Sequence, residues 1–166
     1  MGYKDLVNRF SVTSPGRWLT RRVFSPLDPI VYRLTGGRFT AAGPPTIPQI
    51  ILTTTGRKSG KRRSVQLGFL RDGEDYFVVA SNFGQSNHPA WAYNLAAEPE
   101  ATVTDGPREV SVRAERLTAE EKALVWPRLE AVVPQYRVYI TRTDRDIRVF
   151  RLRPSGSRLS TPRAGQ

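Results

Sequence analysis

The densest chemistry in the chain is the run Thr53-Thr54-Thr55-Gly56-Arg57-Lys58-Ser59-Gly60-Lys61-Arg62-Arg63, with two glycines, one serine and five cations. Glycine tolerates backbone geometry that other residues resist, so Gly56 and Gly60 could turn amide groups inward toward a ligand. Arg57, Lys58, Lys61, Arg62 and Arg63 put positive charge on the same turn. Guanidinium and ammonium groups beside a hydroxyl suit a phosphate or a string of carboxylates. The run is not a Walker loop, because no GxxxxGK[ST] precedes a helix. The competing reading is an exposed basic hairpin loop that keeps the protein soluble, since charge runs are commonly solvated faces.

Elsewhere, reactive side chains are sparse. Cysteine is absent and His88 is the only histidine. Disulfides, thiolate metal sites and cysteine nucleophiles are therefore excluded, and no histidine-rich metal centre is expected. His88 caps or precedes a short proline-started segment on which Trp91 and Asn94 or Leu95 share a helical face. Trp91 reads as core at least as readily as a ligand contact. Tyr136 and Tyr139 also share one face, either packing on a sheet or offering hydroxyl groups.

These groups must be carried by a modest framework. A chain of 166 residues, 39% hydrophobic and 25% charged, fits one soluble domain with a real core. It has no apolar run long enough to span a bilayer and no signal-peptide pattern, so the cytoplasm is the expected compartment. The net charge of +11 is unevenly spread. Residues 1–64 hold 12 Lys/Arg against 2 Asp/Glu, residues 65–150 hold 10 against 13, and residues 151–166 add four arginines and no acid. Such a field attracts an anionic cofactor, an anionic lipid surface or nucleic acid. The nucleic-acid reading is set aside, because residues 56–63 contain no aromatic to stack on bases and no arginine row lines a sheet face.

Periodicity sets the order of elements. Residues 1–43 read as a helical, basic extension broken by Pro26 and Pro29, with Ser14 as an N-cap before Pro15. There Trp18 lies among Arg17, Arg21 and Arg22, as in a segment at a membrane surface or in a helix packed on the domain. Strands are expected at Gln49–Thr55, Ser64–Leu70 and Asp75–Ser81, the last two joined by an Asp72-Gly73 turn. The third strand, apolar from Tyr76 to Ala80, should be buried on both faces. A polar loop, Asn82 to Asn87, leads to a helix from about Pro89 to Ala97. A second hairpin follows, Ala101–Thr104 with Glu109–Leu117, its Val110, Val112 and Ala114 facing inward. Thr118-x-x-Glu121 is a capping box for a helix to about Val133, kinked at Pro127. A helical segment from Pro134, a strand at Ile147–Leu152 and a disordered basic tail over residues 155–166 complete the chain. The sum is a mixed α+β, β-rich, barrel-like domain, without the alternation or the GxGxxG of a Rossmann fold.

One ordered set of residues resembles a known family. Thr53 to Gly60, then Arg63 and Leu67, Ala80-Ser81, His88-Pro89-x-Trp91-x-x-Asn94-Leu95, and Tyr136-x-x-Tyr139-x-x-Arg142-Thr143-x-Arg145-x-Ile147 are similar to the deazaflavin-dependent nitroreductases and quinone reductases. The resemblance spans residues 44–154. It implies a split β-barrel of the flavin-reductase-like, FMN-binding type with peripheral helices. It also implies coenzyme F420, a 5-deazaflavin with a phosphate and an oligoglutamate tail, and FMN is the less favoured alternative. Gly56, Arg57, Lys58, Ser59 and Arg63 would hold the phosphate and tail. Ser64, Val65, Gln66, Leu67 and Gly68 would pass along the coenzyme, and Val79, Ala80, Ser81 and Asn82 would meet the deazaflavin edge. Trp91 and Asn94 would close the site, and Tyr136 and Tyr139 would line the substrate side. The implied reaction is hydride transfer to a small electron-poor acceptor such as a quinone, an enone or a nitroaromatic. The proton would come from Tyr136, Ser81 or water, and the same groove would serve a carrier that never turns the cofactor over. Gln66 stands where the family often has proline, Phe83 where a glycine commonly follows the third strand, and Val133 where some members carry a further tyrosine. These departures bear on the shape of the groove and on the substrate. A quinone acceptor would favour a peripheral position on an anionic membrane. Such barrels are often but not uniformly dimeric, and no apolar stripe decides the oligomeric state.

Overall fold

The computed structural model describes residues 25–39 and 45–156. The Ser14 cap, the Trp18 cluster, residues 40–44 and most of the basic tail lie outside the described residues. Among the described residues, six strands are present: β1 (Gln49–Thr55), β2 (Arg62–Asp72), β3 (Asp75–Val79), β4 (Glu100–Asp105), β5 (Arg108–Arg116) and β6 (Val149–Pro154). They close into a barrel in the order β1-β2-β3-β6-β5-β4, with every neighbouring pair antiparallel. Helices α1 (Ser25–Leu34), α2 (Ala90–Ala97), α3 (Ala119–Val132) and α4 (Tyr136–Ile140) surround it, with a 3-10 turn at Asn82–Gly84.

Two-residue alternation sorts the strand side chains into two cores. Ile50, Leu52, Phe69, Tyr76, Val78, Val103, Val112, Phe150 and Leu152 fill the barrel, with Val110 and Ala114 packed against them. Trp91, Ala92 and Leu95 of α2 join the same core. Outside, Leu70, Phe77, Val79 and Val149 pack beneath Val125 and Leu129 of α3 and Tyr136 and Tyr139 of α4. β3 is thus buried on both faces, as its unbroken apolar run requires.

α3 begins at the expected capping box: Thr118 Oγ1 accepts from the Glu121 amide at 3.2 Å, and the Thr118 amide donates to Glu121 Oε2 at 2.9 Å. It runs to Val132 with Pro127 inside it. α1 runs unbroken through Pro29, contrary to the expected break there, while the chain before Ser25 lies outside the described residues. Pro26 lies in the first turn, where amides have no helical partner, and the amide Pro29 lacks would have served only Ser25 at the helix start. α1 is fastened to the barrel by Tyr32, whose hydroxyl donates to the Gln49 carbonyl at 2.8 Å and accepts from the Gly106 amide at 3.1 Å.

The barrel is closed, but strand pairing is short along one seam. β2 pairs with β1 from Arg62 to Gly68 but with β3 only from Phe69 to Asp72. The other edge of β2, Arg62 to Gly68, therefore has no described strand beside it, because β3 ends at Val79. This split places Ser64–Gly68 on one lip and Val79–Asn82 on the other.

Candidate active site

The cationic loop joins β1 to β2 at one end of this seam. It is a tight turn: the Gly56 amide donates to the Lys61 carbonyl at 2.8 Å, and the Ser59 and Gly60 amides donate to the Gly56 carbonyl at 3.1 and 2.7 Å. A Cβ at Gly56 would lie 2.8 Å from Ser59 Oγ and 3.1 Å from the Lys61 carbonyl, so the closure requires glycine. The Lys61 amide donates to Ser59 Oγ at 3.3 Å, and the Arg57 amide to Asn94 Oδ1 at 3.1 Å. This corrects the expectation of inward-turned amides, because the amides of Gly56, Arg57, Ser59, Gly60 and Lys61 all bond within the protein. The loop offers side chains instead.

Those side chains are exposed from Arg57 to Ser64. Among the described residues, none of Arg57, Lys58, Lys61, Arg62 and Arg63 has a carboxylate within ion-pair distance. By contrast, Arg71, Arg113, Arg116, Arg128, Arg137, Arg151 and Arg153 are all paired with acids. Arg62 reaches only Thr102 Oγ1, at 3.1 Å. The turn is a concentrated, unneutralised positive field, which favours anions.

Asn94 supports this turn from beneath. It is buried; Nδ2 donates to Thr54 Oγ1 at 3.0 Å, and Oδ1 holds the Arg57 amide. It fixes the loop to β1 and α2 and does not reach out of it. Trp91 is core, edge-on to Phe150 at 5.7 Å. Tyr93, between them, carries Arg57 on its ring at 5.1 Å and Arg148 at 5.6 Å.

On the β2 lip, the partly buried side chains of Val65 and Leu67 pack against the barrel core, so these two turn mainly backbone toward the seam. Ser64, Gln66 and Gly68 take the opposite face. Ser64 Oγ lies 2.9 Å from Thr53 Oγ1. Gln66 Nε2 donates to Gln49 Oε1, which leaves Gln66 Oε1 buried with no partner. Reversing both amides would leave Nε2 without a partner instead. At Gly68 a Cβ would stand 2.8 Å from Ile47 Cδ1 and 3.2 Å from Val133 Cγ2, so the strand surface here is bare backbone held close beneath α3's end.

On the β3 lip, Val79 and Ala80 are buried, and both backbone groups of Ala80 are occupied: its amide donates to the Arg148 carbonyl at 2.9 Å and its carbonyl accepts from Arg145 at 3.0 Å. Ser81 makes no capping bond with its hydroxyl. Three successive residues then take positive φ: Asn82 (45°), Phe83 (56°) and Gly84 (75°). For two non-glycines this stores about 1–3 kcal/mol each, and such strain concentrates at functional sites. A glycine would take this φ without strain where Phe83 stands, although Phe83 regains an edge contact with Tyr139 at 5.9 Å.

Arg145 holds this turn in place, a role the sequence did not signal beyond its place in the family motif. It donates to the carbonyls of Ala80 (3.0 Å), Ser81 (2.7 Å) and Gln85 (2.8 Å), and Nη1 sits 2.9 Å from His88 Nδ1. Arginine has no acceptor, so His88 Nδ1 accepts and its proton resides on Nε2. Burial, then the nearby Arg148 and Arg145, push the His88 pKa down and keep it neutral.

Tyr136 and Tyr139 sit beside the turn, their rings 6.4 Å apart, with Trp126 6.1 Å from Tyr136. Tyr136 is buried, and burial followed by Tyr139 pushes its pKa well above the ordinary phenol value. It stays protonated at neutral pH and can only donate weakly as an acid. No group of three or more metal-ligating residues occurs among the described residues.

The family model described as F420H(2)-dependent quinone reductase matches residues 28–154. An F420H(2)-dependent quinone reductase of Mycobacterium tuberculosis, Rv1261c, is 34% identical over 139 residues, covering 80% of this chain and 93% of that protein. A solved F420-H2 dependent reductase (FDR-A) is 39% identical with a TM-score of 0.59, covering 63% of this chain and 93% of its own. A second structure, titled a domain-swapped dimer, is 32% identical with a TM-score of 0.60, covering 84% and 99%. With the seam, the cationic turn and these matches together, the chain belongs to the F420H(2)-dependent quinone reductase family, whose members are oxidoreductases that work with reduced coenzyme F420.

Proposed function

We propose that the protein reduces a quinone, or a comparably electron-poor enone or nitroaromatic, with reduced coenzyme F420 held in the barrel seam. The observation that carries the reading is the exposed turn of five cations without acid partners, set at the mouth of a seam with a strained wall. The residues suit the coenzyme. The cations and Ser59 match a phosphate and a carboxylate tail. The buried amide atom of Gln66 left without a partner would be satisfied by a polar ring edge. When bound, the reduced deazaflavin supplies a hydride from C5.

The chain's own part is binding, orientation and a hydrogen bond to the reduced oxygen, with water as the source of the proton that follows the hydride. Arg57, Lys58, Ser59 and Arg63 anchor the anionic end, and Asn94 sets their turn. Ser64–Gly68 and the backbone from Val79 to Asn82 bracket the ring, with Arg145 fixing the second lip. Tyr139 and Tyr136 line the acceptor side, and Tyr136 or Ser81 hydrogen-bonds the acceptor oxygen that gains negative charge. FMN is the alternative occupant, and a deazaflavin carrier is the alternative function. Contact with an anionic membrane would bring a lipid-soluble quinone to the seam; no described helix is long and apolar enough to cross a bilayer.

Absorbance of reduced F420 mixed with a soluble quinone tests the reading. Oxidation through many turnovers per protein is expected, abolished by omitting the protein. One equivalent bound without accelerated oxidation identifies a carrier and defeats the enzymatic reading. Exchanging the quinone for an enone or a nitroaromatic ranks the acceptors.

A further inference from the structure

α2 meets the cationic turn at two consecutive residues. Asn94 takes the Arg57 amide at 3.1 Å, and Tyr93 carries the Arg57 guanidinium over its ring at 5.1 Å. Backbone and side chain of this one arginine are therefore held from the same helix. Among the described residues, Arg57 is the only cation of the turn stacked in this way. A tyrosine at this place is not what packing asks for. Trp91, Ala92 and Leu95 turn into the barrel core, and Ala90, Tyr93 and Ala97 share another face. Ala90 and Ala97 are exposed, and alanine suits such a surface best. Tyr93 stands between them half-buried, under Arg57 and, at 5.6 Å, under Arg148. Among the described residues neither arginine has a carboxylate within ion-pair distance, so the face of the ring is what steadies both.

The ring is itself braced from the β3 lip. His88 packs across it at 5.8 Å, with the two planes 80° apart. His88 Nδ1 accepts from Arg145, which also holds the Ala80 and Ser81 carbonyls. The Arg148 carbonyl accepts from the Ala80 amide at 2.9 Å. We infer that Tyr93, braced in this way, is a positioning residue that fixes the Arg57 guanidinium for the anionic end of the coenzyme. The inference rests on the reading of the turn as the coenzyme's anchor. A free arginine side chain gives up rotamer freedom when it grips an anion, whereas a stacked one has already done so. Two guanidiniums gathered on one ring also repel each other, and an arriving anion relieves that repulsion. Tyr93 acts through Arg57 rather than on the ligand.

Fluorescence titration of F420 tests this with the unaltered protein, Tyr93→Leu, Tyr93→Phe, Arg57→Ala and the double variant Tyr93→Leu/Arg57→Ala. Tyr93→Leu should bind F420 about three- to tenfold more weakly, the factor that a cation over a partly exposed ring supplies. Tyr93→Ala, with the best helix former at this position, should repeat that loss. Tyr93→Phe keeps the ring and should bind as the unaltered protein does. The double variant should bind within about twofold of Arg57→Ala alone, because the same contact is lost in both. A deazaflavin without phosphate and tail should bind every variant alike, which a general loosening of α2 would not allow. If Arg57→Ala weakens F420 binding while Tyr93→Leu and Tyr93→Ala do not, or if the two losses multiply in the double variant, the positioning role is overturned and the anchor reading stands. A loss in Tyr93→Leu as large for the phosphate-free ligand as for F420 overturns it likewise. F420 affinity untouched by Arg57→Ala overturns the anchor reading and this inference with it.

Discussion

Tyr136 and His88 are the titratable side chains whose surroundings say most about mechanism. Burial keeps the Tyr136 hydroxyl protonated, so its usefulness is as a hydrogen-bond donor to a reduced oxygen. Tyr136→Phe should lower quinone turnover by about tenfold or more, the rate equivalent of one lost donor, with F420 affinity unchanged; steady-state kinetics beside a binding titration checks both. His88 acts through Arg145. Its pKa in the fold lies below the ordinary 6.5, so above that value both folded and unfolded chains hold it neutral and its contribution is complete. As pH falls through 6.5, the unfolded chain takes up the proton first and stability declines. Urea midpoints should therefore drop between about pH 7.5 and about pH 5, and less so in His88→Gln, whose carbonyl can still accept from Arg145. The cations at 57–63 were legible in the sequence because charge needs no fold to be counted. Arg145 was not, because its function depends on three carbonyls more than fifty residues away that only the closed barrel brings to it.

At the scale of elements, alternation and turn chemistry located all six strands, the capping box of α3 and the double burial of β3. Pro29 misled because a proline's harm depends on whether the missing amide had a helical partner, and near a helix start it mostly does not. The turn at the end of β3 read only as a polar loop, since Phe83 gives no sign of positive φ and Asn82 only a weak one. Gly84 fixes how this turn meets α4. A Cβ there would stand 2.8 Å from the Tyr139 carbonyl and 2.9 Å from Arg142 Cβ, at a φ of 75°. Gly84→Ala should destabilise the protein by about 2 kcal/mol or more, from backbone strain and the clash together, measured by denaturant unfolding. It should also reduce turnover more than F420 affinity, because α4 carries the acceptor side while the anion anchor lies across the seam.

For the molecule as a whole, charge and fold divide the work. Acids on β2, β4, β5 and α3 and in the adjoining loops pair with the arginines around them, and the loop between β1 and β2 is left without acid partners at the seam. The barrel fixes where that loop points, through Asn94 and Thr54, and the seam gives a flat ring a place beside it. The most direct test of this division is a fluorescence titration of F420 against the unaltered protein and Arg57→Ala/Lys58→Ala, at low and high salt. Tight binding that weakens by about tenfold or more per lost cation, and that falls with salt in the unaltered protein more than in the variant, is the predicted result. Unchanged affinity in the variant, or binding indifferent to salt, would contradict the claim that this turn anchors the coenzyme.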